Sequence, residues 1–78
     1  MLTMTKVTGR GADLLAAIRA RRGEWLTRVD LAEATGKRQL SPNDRHWLDT
    51  LEHEGLIEID RRAIDAPVGF EWIYRAKA

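Results

Sequence analysis

The chain has no cysteine and no long apolar run. The absence of cysteine excludes disulfides and thiolate metal sites. No segment approaches the roughly 20 apolar residues that a membrane-spanning helix needs. Residues 1–10 also lack the continuous apolar stretch of a signal peptide. We therefore expect a cytoplasmic protein that does not associate with a membrane.

The chain also lacks a strong net charge. Its 13 basic and 12 acidic residues leave a formal charge of +1, whereas an obvious nucleic-acid binder is strongly basic. The charges are nevertheless segregated. Residues 1–23 carry five basic and one acidic side chain, residues 48–60 carry five acidic and no basic ones, and residues 61–78 carry four basic and two acidic ones. A basic face can therefore exist on a nearly neutral molecule.

A length of 78 residues leaves room for one small core. Residues 1–11 contain two glycines and no clear period, and we interpret them as a flexible N-terminal arm before a domain over residues 12–78. Because so small a core is marginally stable, we expect that a second copy of the chain could stabilise it in a homodimer.

Helix start and stop signals predict the first two helices. The first begins near Asp13, whose carboxylate can cap the free amides of the first turn, and ends at Gly23. The second follows a capping box in which Thr27 is the cap and Asp30 lies three residues later. Gly36 ends this short helix.

A third helix is predicted over residues 42–54. Ser41 is its cap, a proline occupies its first position, and Asp44 completes a second capping box. Gly55 ends the helix. On a helical wheel Asp44 falls within the arc of the expected buried stripe, whose apolar members are Trp47, Leu48 and Leu51.

The remainder of the chain predicts strands. Residues 56–61 alternate between apolar and polar, which is the period of a half-buried strand. Residues 70–75 are rich in aromatic and β-branched side chains and predict a second strand. We interpret residues 62–69 as the loop that joins the two antiparallel strands. Residues 24–26 are long enough for one brief strand only.

Two segments carry a family resemblance. WLTRVDLA, residues 25–32, resembles the start of the second helix of the winged helix–turn–helix superfamily of transcription regulators. Residues 40–57, which end in LDTLEHEGLI, resemble its recognition helix running into the wing. The resemblance covers residues 12–76. It implies an α+β fold, with three helices followed by a two-stranded antiparallel wing and a short extra strand near Trp25.

The sequence departs from the family pattern at Asp44. The corresponding position in such helices is often a buried aliphatic residue. Either Trp47 fills that volume or the helix starts differently, and the register of the DNA-facing side stays open.

The resemblance implies a small transcription regulator that reads duplex DNA with the helix at 42–54 and the wing. In the turn, at the start of this helix and at the base of the wing, the candidate DNA-binding residues are Lys37, Arg38, Gln39, Ser41, Asn43, Arg45, His46, Arg61, Arg62 and Arg75. An ordinary solvated surface is the alternative for each of them. At the level of the whole chain, the alternative is a winged-helix module that binds a protein and no DNA. The near-neutral charge, the acidic second half of the third helix and the apolar wing tip favour this alternative.

No catalytic constellation and no glycine-rich phosphate loop is visible, so we expect neither an enzyme nor a cofactor. Asp49 and His53 share a helical face and His46 lies two turns from His53, but a complete metal site needs further ligands. We expect no metal and no small-molecule ligand.

The five aromatic side chains are expected to pack in the core and the sheet. Binding of single strands would require them to be exposed beside basic residues.

Overall fold

Helices and strands are mixed along the chain in the computed structural model, which describes residues 7–65, 67 and 69–77. The described part is α+β, with three helices and a three-stranded antiparallel sheet, an arrangement compatible with a small winged helix. In chain order the elements are α1 (Gly9–Ala20), β1 (Leu26–Thr27), α2 (Arg28–Ala34), α3 (Pro42–His53), β2 (Ile57–Ala63) and β3 (Phe70–Ala76).

Helix α1 starts earlier than its sequence predicts. It begins at Gly9, after an extended Thr8 that makes no side-chain cap, and Asp13 is an exposed residue inside it. The prediction of an arm through residue 11 is therefore wrong for residues 9–11, while residues 1–6 lie outside the described residues. Glycine locally disfavours a helix, but Gly11 is buried against the ring of Trp47, and this tertiary contact outweighs local propensity.

The two predicted capping boxes are confirmed. In each, the cap hydroxyl accepts a hydrogen bond from the backbone amide three residues later at 3.1 Å, and that residue's carboxylate accepts from the cap's own amide at 2.9 Å. Thr27 and Asp30 form the box of α2, and Ser41 and Asp44 form that of α3, with Pro42 at its first position. These short-range bonds satisfy amides that a helix start leaves unpaired.

The sheet has the strand order β1-β3-β2. Strand β1 pairs with β3 over Leu26–Thr27, so it begins two residues and ends one residue later than the predicted strand at 24–26. Strand β2 pairs with β3 along its whole length, and it continues to Ala63, so the prediction that the loop begins at Arg62 is wrong. The guanidinium of Arg62 donates to Glu71 on the opposite strand at 3.1 Å, and this cross-strand pair supports the extra ladder positions.

The pleat gives the sheet two different faces. One face packs on the helices with Ile57, Ile59 and Tyr74, and Arg61 and Trp72 lie opposite each other further along this face, where both are exposed. The other face carries the buried Ile73 and, around it, the charged residues Glu58, Asp60, Arg62, Glu71 and Arg75. The predicted alternation of β2 is confirmed by this arrangement.

The core lies between the helices and the first face of the sheet. Its buried cluster draws on all six elements and consists of Leu14, Leu15, Ile18, Leu26, Leu31, Leu48, Leu51, Ile57 and Tyr74. The predicted stripe of α3 is confirmed for Leu48 and Leu51, and Trp47 is half-buried against the same cluster. The outer face of α3 is thereby left to the solvent.

Substitution of Gly11 by alanine tests the contact between α1 and α3. An alanine Cβ would lie 2.6 Å from Cδ2 and 2.7 Å from Cζ3 of Trp47. We expect Gly11→Ala to lower the free energy of unfolding by about 1–3 kcal/mol, as overpacking does. In a Trp47→Leu background the same change is expected to be neutral or stabilising, because alanine favours a helix. Urea denaturation of the four proteins measures the coupling. Equal destabilisation in both backgrounds would contradict the contact.

Candidate nucleic-acid interface

A buried carboxylate organises the elements of the candidate interface. Asp44, in the first turn of α3, is 0% exposed. Arg10 donates to it from Nε at 2.7 Å and from Nη2 at 3.3 Å, and the same Nη2 donates to the hydroxyl of Thr35 at 2.8 Å. Lys37 Nζ lies 3.6 Å from Oδ2 of Asp44, and the amide of Ser41 donates to that oxygen. The pair of Arg10 and Asp44 thus joins α1, the end of α2, the turn and α3.

This network accounts for an aspartate at a buried position of α3 where the resemblance implies an aliphatic residue. Burial raises the pKa of the carboxyl, but the hydrogen bonds from Arg10 and the Ser41 amide, with the charges of Arg10 and Lys37, outweigh it. The pKa falls from 3.8 to about 2. An ionised carboxylate is therefore stable where an aliphatic side chain was expected. Because Asp44 points inward, its neighbours Asn43 and Arg45 are exposed, which fixes the outer side of α3.

The start of α3 and the preceding turn form one surface. Arg45 lines a cavity of about 130 Å³ together with Arg38 and Gln39 of the turn. Asn43 and His46 are also exposed. The remaining two candidates of this region face Asp44 instead. The ammonium group of Lys37 lies beside the carboxylate of Asp44, and the hydroxyl of Ser41 accepts a hydrogen bond from the backbone amide of Asp44.

A second cavity, of about 310 Å³, lies between the start of α2 and strand β3. Arg28 and Val29 line both cavities, so they connect the α3 surface with strand β3. Neither was predicted as a site residue, and nor was Trp72, which lines the second cavity. The position of Arg28 directly after the α2 cap, and the placement of Trp72 by strand alternation, are the signals that could have identified them.

The three predicted arginines of the wing are on different faces. The guanidinium of Arg61 lies 5.8 Å from the ring centroid of Trp72, and that of Arg28 lies 6.0 Å from it. Arg62 pairs with Glu71 on the other face of the sheet. Arg75, also on that face, donates to Glu58 at 2.6 Å and its guanidinium lies 4.3 Å from the ring centroid of Trp25. The pleat therefore joins Arg61 alone of the three to Arg28.

Four arginines consequently come together from four segments. We call this surface the arginine face, and it consists of Arg28, Arg38, Arg45 and Arg61 with the apolar Val29 and Trp72. Among the described residues that line its two cavities, the one carboxylate is that of Glu71, which is paired with Arg62. Three other carboxylates, those of Glu52, Glu58 and Asp60, line a separate cavity with Trp25, Arg75 and Lys77. These three carboxylates therefore lie apart from the two cavities of the arginine face.

Residues 7–65, 67 and 69–77 contain neither a candidate metal site nor a candidate membrane-spanning helix. No group of three or more histidine, cysteine, aspartate or glutamate side chains there could hold a metal ion, so His46, Asp49 and His53 form no such group. None of the helices in this part of the chain has the length and apolar content that crossing a bilayer requires.

The comparisons with known proteins identify no relative. No family model, no curated protein and no solved structure matches the chain. The functional interpretation of the arginine face therefore depends on its own geometry and chemistry.

The acid sensitivity of the fold tests the Asp44 network. The folded-state pKa of Asp44 is below its ordinary value, so its contribution to stability is present above about pH 4 and is lost as the pH falls towards 2. Between pH 6 and pH 2 we expect wild type to lose about 2 kcal/mol more free energy of unfolding than Asp44→Asn, whose amide does not titrate. Urea denaturation at both pH values measures the difference.

The matched control is Asp49→Asn, which removes an exposed carboxylate from the same helix. This variant should keep the acid sensitivity of wild type. If Asp44→Asn lost as much stability as wild type over this range, the network would not be the origin of the effect.

Proposed function

We propose that the chain is a winged helix–turn–helix domain that binds double-stranded DNA through the arginine face, as a small cytoplasmic transcription regulator. The observation that carries the proposal is the convergence of Arg28, Arg38, Arg45 and Arg61 from the start of α2, the turn, α3 and the wing. Guanidinium groups match phosphate oxygens in charge and geometry. Glu52 and Glu58 line a separate cavity, which reduces the electrostatic repulsion of phosphate at the arginine face of a chain of charge +1.

In this proposal the first half of α3 enters the major groove, which admits a helix. Arg45 is placed to reach the acceptor atoms of a guanine, and Asn43 to pair with adenine or a phosphate. Arg38 and Gln39 contact the backbone beside the groove, where such contacts fix orientation. The outer position of His46 makes it a further candidate at the edge of this contact.

Strand β2 and the start of α2 form the second contact. Arg28 and Arg61 bind the phosphates on the wing side of the helix, since both guanidinium groups lie near Trp72 on one side of the sheet. We assign Lys37 and Ser41 a positioning role through Asp44. Arg62 and Arg75 offset the carboxylates that lie beside them on the other face.

One module of this size covers a short stretch of duplex. We therefore propose that two copies bind neighbouring half-sites, and the stoichiometry of a DNA titration measures this.

A protein-binding module is the second candidate function. The observation in its favour is Val29, which is 63% exposed between the two cavities and would be covered by an apolar partner surface. The two functions differ in salt dependence, because phosphate contacts release counterions and weaken steeply with salt.

Arginine substitutions test the DNA-binding proposal directly. We expect Arg45→Ala to weaken binding of its preferred duplex by about 1–3 kcal/mol, and Arg28→Ala to reduce the salt dependence by about one phosphate contact. Fluorescence anisotropy of a labelled duplex across a salt series measures both. The control is Arg21→Ala, which removes an exposed arginine of the α1 end that pairs with Glu24 at 3.2 Å; its affinity should match wild type.

Two results would count against the proposal. A flat titration at low salt would exclude DNA binding and favour the protein-binding module. Equal losses in Arg45→Ala and Arg21→Ala would exclude the first half of α3 as the reading element.

A further inference from the structure

Trp72 differs from the other two tryptophans of the chain. It is 36% exposed, whereas Trp25 and Trp47 are half-buried. It shares the helix-facing side of β3 with the buried Tyr74, but it lies further along the strand, outside the core cluster. A large ring at an exposed strand position contributes little to the core, and its exposed surface is available to a ligand.

The surroundings of this ring are aromatic and cationic. Phe70 meets it edge to face, with centroids 5.5 Å apart and planes at 90°. The guanidinium groups of Arg28 and Arg61 lie about 6 Å from its centroid, within the range of cation–π attraction. Arg28 is held there because its Nε donates to the hydroxyl of Tyr74 at 3.0 Å. The buried Tyr74 therefore positions one of the two cations beside the Trp72 ring.

The adjoining cavity has the size of a small ligand. Its volume of about 310 Å³ lies at the lower end of the roughly 300–1,000 Å³ of small-molecule pockets. A cavity of this volume can hold one planar ring but is too small for an α-helix of a binding partner.

The charges around the cavity decide the chemistry of the occupant. Aromatic cages take cationic ligands, but here Arg28 and Arg61 already supply the cations beside Trp72. The carboxylate of Glu71 at the same cavity is paired with Arg62 at 3.1 Å. An occupant that combines a flat ring with a negative charge therefore complements the site, and a nucleotide has both.

We propose that Trp72, with Phe70, Arg28 and Arg61, forms a stacking site for one unpaired nucleobase of DNA. The base stacks on the ring of Trp72, and its phosphate accepts hydrogen bonds from the two guanidinium groups. The domain consequently prefers duplex DNA that contains an unpaired nucleotide over continuous duplex. This inference depends on the proposed DNA binding, because the same arginine face holds the adjoining duplex.

The experiment compares two labelled hairpin duplexes that differ by one bulged nucleotide. We expect wild type to bind the bulged duplex about tenfold more tightly, as one stacked base provides. Trp72→Leu keeps apolar volume but has no π face, so it should bind the bulged and the continuous duplex with equal affinity. Trp72→Phe should retain most of the preference.

The matched control is Trp25→Leu, which should behave as wild type. Trp25 lies on the other side of the sheet beside Arg75. Circular dichroism checks that each variant is folded.

The possible outcomes separate the two proposals. Equal binding of both duplexes by wild type, or an unchanged preference in Trp72→Leu, would overturn the stacking site and leave duplex binding standing. Absence of binding to either DNA would overturn both. If Trp72→Leu abolished self-association in sedimentation and had no effect on the preference, Trp72 would be a contact between two copies of the chain and the stacking site would be wrong.

Discussion

The structure depends on the ion pair between Arg10 and Asp44, two residues that are 34 positions apart. Burying a carboxylate is costly unless its charge and its hydrogen-bonding capacity are satisfied. Here the guanidinium of Arg10, the ammonium group of Lys37 and the amide of Ser41 satisfy both. The same carboxylate caps α3, so the pair joins the first turn of α3 to the start of α1.

The sheet places the charged side chains of β2 and β3 on two different faces. Because adjacent residues of a strand point to opposite faces, Arg61 and Arg62 belong to different surfaces although they are neighbours in sequence. Arg61 joins Arg28 beside Trp72, and Arg62 neutralises Glu71. A chain with a formal charge of +1 can thereby present a cationic surface without an excess of basic residues. The proposed DNA contact and the proposed stacking site are two parts of this one surface.

Prediction from sequence succeeded where short-range signals determine the outcome and failed where distant contacts do. The candidates Arg38, Gln39 and Arg45 do come together, because the Ser41 cap fixes the turn and the start of α3. Arg28 was not predicted as a site residue because its contacts with Trp72 and Tyr74 join residues more than 40 positions apart. Arg62 and Arg75 were grouped with Arg61 because the sequence shows a cluster of charges, and only strand register separates them. Whether any of these residues contacts DNA stays a prediction.

The sequence by itself determined the order of the elements, the two capping boxes and the alternation of β2, since each depends on residues within about one helical turn or one strand. The tertiary structure decided the rest. The start of α1 at Gly9 depends on the packing of Gly11 against Trp47, and the ionised state of Asp44 depends on Arg10. The exposure of Trp72 depends on where β3 passes the edge of the core. Each of these features requires side chains far apart in sequence to meet, and neither local propensity nor periodicity contains that information.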